Sequence, residues 1–191
     1  MSDTILYDVR RAYVWPVESD NSEENPPTYG SRVRVPGIRT VELSPEYESN
    51  QLKGDGRVID SRTILAGLSL SFGYGKLAPP VLAVLDGGTA VTADGVTEYR
   101  RTATDRIPYF GFAAEVAEVD ANTGSALLAV FYAKIEDGTL FGSETDAYGQ
   151  PEFTANAQPT ESGLMWKARY AETGEAIPED LAALAADLTA A

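Results

Sequence analysis

Residues 58–74 (VIDSRTILAGLSLSFGY) contain the pattern that most restricts how this chain can fold. Apolar side chains recur at every second position over about a dozen residues, and Leu65 is the one exception. Because a β-strand turns alternate side chains to opposite faces of a sheet, the pattern predicts a strand with one apolar and one polar face. The predicted apolar face comprises Ile64, Ala66, Leu68, Leu70, Phe72 and Tyr74, and the other face Thr63, Gly67, Ser69 and Ser71.

Further strand candidates recur along the chain and are separated by Gly, Asn, Asp and Pro, which favour turns. They lie at residues 5–17, 38–47, 96–101, 107–119, 125–136 and 163–171. Residues 125–136 are apolar on both faces, as expected of a central buried strand. Many short strands with one helix in mid-chain predict a mainly β fold, either a β-sandwich or a barrel, with one helix packed against it.

Two helices are predicted. In residues 76–86 (KLAPPVLAVLD) the apolar spacing is helical, two prolines occupy the tolerated first turn, and two glycines follow as a stop signal. Residues 178–191 (PEDLAALAADLTAA) predict a C-terminal helix whose apolar stripe can pack on its own domain or on a neighbour. The stripe comprises Leu181, Leu184 and Leu188. We therefore divide the chain into a β-sandwich domain, residues 1–173, and a helical extension, residues 174–191.

Two polar segments interrupt the strands. Residues 18–31 (ESDNSEENPPTYGS) predict an acidic surface loop, which lacks the spacing of a dedicated calcium-binding loop. Residues 46–57 predict a long hairpin loop around Gly54-Asp55-Gly56. Ordered loops of this length usually have a function.

The charge of the chain excludes several function classes. There are 15 Lys and Arg against 29 Asp and Glu, a formal net charge of -14, so phosphates and anionic membranes are repelled.

The sequence contains no Cys and no His, which rules out disulfides, thiolate zinc sites and Ser-His or Cys-His catalytic dyads. No run of 18 apolar residues and no basic-then-apolar N-terminus occurs, so we expect a soluble protein made in a cytoplasm, with no membrane partner.

Two binding or catalytic alternatives remain open at this level. Paired carboxylates can hydrolyse glycosides without histidine, but with 29 acids some pairs will share a strand face by chance. The candidates are Glu42, Glu46, Glu48, Glu115 and Glu118. Trp15, Trp166 and the ten tyrosines can form a sugar-binding platform, although packing in a core or an interface is the favoured use. We assign no catalytic residue, no cofactor and no metal ligand.

Three motifs in order lead to a family resemblance. Glu48-Ser49-Asn50-Gln51-Leu52-Lys53-Gly54-Asp55 lies between two predicted strands, Leu82-Ala83-Val84-Leu85-Asp86-Gly87-Gly88-Thr89 ends the predicted helix, and Arg106-Ile107-Pro108-Tyr109-Phe110 enters a later strand. Residues 41–89, together with the order and spacing of the three motifs, resemble the sequences of major tail proteins from long, non-contractile-tailed bacteriophages of actinobacteria. The resemblance covers about residues 38–157.

The resemblance implies a tail-tube fold, a sandwich of two packed antiparallel sheets with a flanking α-helix. It also implies an assembly role without catalysis. Subunits of this family form hexameric rings that stack into a hollow tube around a tape-measure protein, and terminator and tail-tip proteins cap it. Genomic DNA passes through the lumen without specific binding. The implied location is the virion tail, with the host cytoplasm during assembly. The alternatives are another tail ring protein of the same fold, a terminator or distal tail protein, and a carbohydrate-binding β-sandwich.

The resemblance also directs attention to two sets of residues. We expect the segment 46–57 to contact a neighbouring subunit through Glu46, Glu48, Asn50, Leu52, Lys53, Asp55 and Arg57. We expect acidic side chains to line the lumen, with the strand faces that carry Glu42 and Glu46 as candidates. An acidic lumen repels DNA phosphates, whereas a basic one would retain them.

Overall fold

The structure is a computed structural model that describes residues 6–19, 21, 26–54, 57–76, 78–118, 125–139, 151–171 and 177–186. These residues form ten strands and two helices: β1 (Leu6–Pro16), β2 (Val33–Val35), β3 (Ile38–Gly54), β4 (Arg57–Tyr74), α1 (Pro79–Asp86), β5 (Thr89–Ala93), β6 (Val96–Arg100), β7 (Tyr109–Glu118), β8 (Ser125–Thr139), β9 (Glu152–Ala157), β10 (Trp166–Ala171) and α2 (Ala182–Ala186).

The strands form two antiparallel sheets. Seven strands of the larger sheet run in the order β2-β1-β7-β8-β9-β4-β3, and β10 joins as the eighth by pairing with β8. The first half of β8 pairs with β10 and the second half with β9, so β8 connects two parts of the sheet. The smaller sheet is the hairpin β5–β6. The predicted mainly β fold with two antiparallel sheets and short helices is confirmed.

The main core forms where the larger sheet folds over itself. Phe72 of β4 stacks on Phe112 of β7, with ring centroids 5.0 Å apart, although two strands separate β4 from β7 in the sheet order. Phe72 also stacks on Phe153 of β9 at 5.9 Å. All three aromatic side chains are buried. Packing of aromatic rings from distant strands closes the sheet around one apolar cluster.

Helix α1 covers one end of this core, as its apolar spacing predicts. Val81, Leu82, Val84 and Leu85 are buried against the core cluster. The helix ends at Gly87, whose φ of 81° is left-handed and whose N–H donates to the carbonyl of Ala83. Glycine adopts this conformation without the steric cost of a Cβ, which explains the stop.

A second apolar cluster lies on the other face of β1, β7 and β8. Trp15, Phe131 and Leu181 are buried there, and α2 supplies Leu184. Trp15 Nε1 donates to the carbonyl of Glu179 at 2.8 Å, which ties the chain entering α2 to β1. The predicted C-terminal helix therefore packs on its own domain. Leu188 of its predicted stripe lies outside the described residues.

The segment 46–57 differs from the predicted loop. β3 continues to Gly54 and β4 begins at Arg57, so strand pairing runs almost to the turn. The polar composition suggested a loop, but a strand that is exposed on both faces is also polar, and cross-strand hydrogen bonds satisfy its backbone. The segment is therefore the distal part of a long hairpin.

The described part of the acidic segment 18–31 follows the prediction of a loop. An isolated bridge joins Val17 to Tyr29. The Tyr29 hydroxyl donates to the carbonyl of Phe131 at 2.8 Å, and Thr28 donates from its backbone N–H to Ser19 Oγ at 3.0 Å. The bond from Tyr29 fastens the loop to the body of the domain, and the bond between Thr28 and Ser19 joins the two ends of the loop to each other.

Candidate assembly surface

The hairpin formed by β3 and β4 projects beyond the rest of the sheet. β9 pairs with β4 only from Leu68 to Gly73, whereas β3 and β4 pair with each other as far as Gly54 and Arg57. In the described part of the chain, β4 therefore has β3 as its only strand neighbour from Arg57 to Gly67. At about 3.3 Å per residue, the part of β3 beyond Glu46 is roughly 25 Å long. We call this projecting part, residues 46–67, the ribbon.

Both faces of the ribbon are open to solvent. Residues 44–51 and 60–66 are all exposed, on both strands and at consecutive positions. An isolated two-stranded hairpin is only marginally stable in water, because it buries little apolar area to offset the entropy of ordering its backbone. Contact with another surface would stabilise the ribbon.

The predicted interface residues lie along this ribbon. Glu46, Glu48 and Asn50 are exposed and lie at alternate positions of β3, so they share one face. Leu52 and Lys53 lie near the end of β3 and pair in register with Asp60 and Val58.

Arg57 begins β4 and pairs in register with Gly54. Asp55 lies outside the described residues. The structure thus brings most of the predicted interface residues onto one element, and three of them onto one exposed face.

A register shift near the base of the ribbon explains the exception in the alternation. Glu46 pairs with Gly67, but Tyr47 pairs with Leu65, so Ala66 is an extra residue in β4. Such a bulge reverses the alternation of faces for the residues on one side of it relative to those on the other. Leu65 therefore lies on the same face as Leu68.

The same shift corrects the sequence-based assignment of Ile64. The uninterrupted alternation assigned Ile64 to the face of Leu68, but Ile64 pairs with Glu48 and lies on the opposite face. The prediction was wrong because an added residue in one strand changes the phase of the pattern without changing its composition.

An apolar groove lies at the base of the ribbon. It encloses about 320 Å³ and is lined by Leu43, Pro45, Tyr47, Leu65, Leu68 and Trp166. Tyr47 is 66% exposed and Trp166 is 43% exposed, although both have large apolar side chains that are usually buried. Leu68 belongs to the main core and Leu43 packs against it, so the groove is an open end of that core. The only sequence signal for it was the irregular position of Leu65.

The opposite face of β3 and β4 is polar and carries the two predicted lumen residues. Glu42 and Glu46 are exposed on this face, and Ser44 between them donates from Oγ to Glu42 Oε1 at 3.1 Å. The polar face continues across β4 onto β9, where Ser71 Oγ and Thr154 Oγ1 are 3.2 Å apart and share a hydrogen bond. The structure brings both glutamates to one continuous polar surface.

Two buried carboxylates elsewhere hold elements of the fold together. Glu115 of β7 is buried and pairs with Arg11 Nε and with Arg10 Nη1, the latter at 3.9 Å. The hydrogen bond to Glu115 raises the pKa of Arg11. Glu115 therefore lies apart from Glu42 and Glu46 of β3, with an arginine bonded to its carboxylate.

Asp86 at the end of α1 accepts a hydrogen bond from the Tyr99 hydroxyl at 2.6 Å and pairs with Arg101. Burial and the hydrogen bond to Asp86 raise the pKa of Tyr99 to about 12. These contacts fasten the hairpin β5–β6 to the helix.

Metal ligands and membrane spans were also considered. Among the described residues, no three Asp or Glu side chains are close enough together to hold a metal ion. No helix in the described ranges is long and apolar enough to cross a membrane.

Comparison with known proteins adds no relative. The chain matches no protein-family model, and no curated protein is significantly similar to it in sequence.

Proposed function

We propose that this chain is a self-assembling structural protein, the major tail tube subunit of a long, non-contractile-tailed bacteriophage. Subunits form hexameric rings, and the rings stack into the tube through which genomic DNA is delivered. The proposal is supported by the mainly β fold with its flanking helix and by the resemblance of residues 41–89. The tape-measure, terminator and tail-tip proteins are the further partners, and the tube belongs to the virion.

The projecting ribbon is the observation that carries the proposal. A paired ribbon that projects roughly 25 Å, and whose residues 46–51 and 60–66 are exposed on both faces, has little reason to be ordered in a protein that acts alone. Its exposed large apolar side chains, Tyr47, Ile64 and Leu65, are characteristic of a surface that becomes covered. A neighbouring subunit is the partner that a repeating assembly supplies to every copy.

Charge restricts how such an assembly can form. Copies that each carry a net charge of -14 repel one another, although salt screens this repulsion beyond about 8 Å. Assembly therefore requires apolar and hydrogen-bonded contacts of the size found in obligate complexes, about 2,000 Å² or more. The ribbon and the apolar groove beside it supply surface of this kind.

The polar face of β3 is the proposed lining of the lumen. Glu42 and Glu46 point to the same side, together with small polar residues that do not obstruct a channel. Carboxylates along a channel repel phosphates, so DNA moves through without being retained. Acidic side chains in the lumen would therefore let a polyanion pass without binding it.

Electron microscopy of the purified protein tests the proposal. We expect rings or tubes in negative stain, formed by the protein alone or after addition of its tail-tip and tape-measure partners. A protein that stays strictly monomeric at high concentration, with and without those partners, contradicts it. Rings that never extend into tubes favour a terminator or distal tail protein of the same fold.

A carbohydrate-binding β-sandwich is the second candidate, and the exposure of Trp166 favours it. An exposed indole can stack on a sugar ring, but sugar recognition also requires polar groups beside the platform. Beside Trp166 the groove is lined by Leu43, Pro45, Leu65 and Leu68, and the Tyr47 hydroxyl is the one side-chain polar group of the described lining. Binding of isolated subunits to a glycan array, lost in Trp166→Ala, would support this candidate over the tube.

A further inference from the structure

Residues 177–186 rest on the face of β1, β7 and β8 that points away from the main core, and they do not join the sheet. Within the described chain, no backbone–backbone hydrogen bond connects them to another segment. The main core cluster takes no residue from them either. We call these residues the strap, and the sandwich around Phe72 and Phe112 is built without it.

Three apolar side chains anchor the strap. Ile177, Leu181 and Leu184 are buried, and they pack with Trp15 and Phe131 in the second apolar cluster. Recognition of a short peptide commonly combines a few anchors of this kind with hydrogen bonds to the peptide backbone. The strap therefore contacts its own domain in the way that a bound peptide would.

Gly111 of β7 forms the seat of Leu181. A Cβ at this position would clash with Leu181 Cδ2 and would lie 3.1 Å from Tyr29 Cε1. Trp15, the register partner of Gly111, closes the seat from β1. The missing side chain of Gly111 thus leaves a place that the strap leucine fills.

Three side chains outside the strap donate hydrogen bonds to its backbone carbonyls. The bonds are Arg32 Nη1 to Ile177 at 2.7 Å and to Pro178 at 3.1 Å, Trp15 Nε1 to Glu179 at 2.8 Å, and Lys167 Nζ to Leu184 at 3.0 Å. Because these carbonyls are bonded to side chains and not to a strand, water can replace the donors while the backbone ladder of the sheet stays intact.

Charges of both signs surround the strap. Arg32 Nη2 lies 3.5 Å from Glu179 Oε1, but the Glu179 side chain is 92% exposed, so this pair contributes little to docking. Glu18 lines a small cavity together with Glu179 and Asp180, which places like charges side by side. The apolar anchors therefore supply most of the attraction between the strap and the domain.

We propose that the strap is a releasable cover of a peptide-binding site. It leaves this face while the sandwich stays folded, and it thereby controls access to a site for short segments that carry a leucine for the Gly111 seat. Helix α2 has five residues, too few for a stable helix in water, so the released strap regains chain entropy that offsets part of the lost burial. The proposal does not depend on the tube function.

Hydrogen exchange of the full-length protein, followed by mass spectrometry, tests release. A segment that opens locally exchanges through its own opening, whereas core strands exchange only when the sheet opens. We expect residues 177–186 to exchange at least roughly a hundredfold faster than residues 125–133 of β8, with no increase in low denaturant. Equal protection of the strap and β8 would show that both open together and overturns the proposal.

The variant Gly111→Ala obstructs the seat of Leu181. It should raise the exchange rate of the strap by about tenfold and leave that of β4 unchanged. Gly75→Ala is the matched control, because a Cβ there would lie 3.6 Å from the nearest heavy atom, an ordinary contact, and both rates should stay as in wild type. An equal loss of protection in the strap and β4 of Gly111→Ala contradicts a separable strap.

A fluorescein-labelled synthetic peptide of residues 177–186 tests the binding site itself. The full-length variant Leu181→Asp keeps the face but cannot seat its own strap, because the carboxylate would lose its hydration without gaining a partner. Fluorescence anisotropy should show at least about tenfold tighter binding to this variant than to wild type, whose own strap competes. A peptide with Asp at both leucine positions should bind to neither protein.

Equal binding of the peptide to both proteins, or no binding to a Leu181→Asp protein that unfolds cooperatively, overturns the binding site. A Leu181→Asp protein that does not fold also overturns the proposal, because the sandwich would then require the docked strap. Tube formation is not a readout in any of these experiments, so their outcomes and those of electron microscopy are distinguishable.

Discussion

Shortening the ribbon is the most direct perturbation of the proposed assembly surface. Replacing residues 49–63 with Asn-Gly joins Glu48 to Ile64, which are register partners, through a two-residue turn of the type that hairpins favour. Tyr47 and Leu65 remain, so the base of the apolar groove is retained. The change removes the distal ribbon and leaves the rest of the sheet intact.

The expected cost in stability follows from what the deleted residues contact. Residues 49–51 and 60–63 are exposed, and no described residue of the deleted segment belongs to either apolar cluster. As far as the segment is described, its removal creates no cavity and leaves no buried group unpaired, so we expect the free energy of unfolding to change by less than about 1 kcal/mol. For a chain of this length, that corresponds to a change in Tm of no more than about 2–4 °C.

Denaturant unfolding and electron microscopy, measured on the same preparation, test both parts of this expectation. The shortened protein should unfold cooperatively near the wild-type midpoint but form no tubes. Ser49→Ala is a suitable control, because it removes the 2.9 Å contact between Ser49 Oγ and Thr63 Oγ1 and keeps the ribbon, so tubes should form. Normal tubes from the shortened protein would refute the assembly role. A decrease of several kcal/mol in the free energy of unfolding would show that the ribbon contributes to the stability of the core.

Three further variants, one double and two single, test other parts of the structure. The double variant Glu42→Lys/Glu46→Lys should assemble but eject DNA slowly, most strongly at low salt, because each lysine can bind a phosphate of the DNA. Ejection at the normal rate in low salt would contradict an acidic lumen. Leu181→Ala should lower the free energy of unfolding by about 2–5 kcal/mol in a urea titration, since this side chain is fully buried. A cost below about 1 kcal/mol would show that the chain entering α2 is not part of the core. Tyr99→Phe removes the hydrogen bond to Asp86 and a hydroxyl whose pKa in the folded state, about 12, is higher than its ordinary value of 10.0. The stabilisation by Tyr99 is therefore complete below pH 10.0 and decreases as the pH rises to about 12, so the stability difference between wild type and Tyr99→Phe should narrow over that interval.

Local sequence patterns were sufficient to predict the elements that form because of interactions between residues close together in the chain. Alternation predicted β4, and helical spacing between two prolines and two glycines predicted α1, because side-chain direction and backbone freedom act over a few residues. Short or weakly patterned strands were not predicted. β2 has only three residues, and β9 gains its stability from pairing with β4 and β8, which no local signal describes.

The candidate surface was only partly predictable for the same reason. The sequence identified residues 46–57 as a polar insertion between strands, but a polar strand and a polar loop have similar compositions, so only the tertiary structure showed a paired ribbon. The bulge at Ala66 assigned Leu65 to the face of the groove, because the register of two strands is a property of their pairing. The groove itself requires Trp166, about a hundred residues further along the chain, to lie beside β3 and β4. Burial and proximity of this kind arise only when distant strands pack together, so the tertiary structure alone decided them.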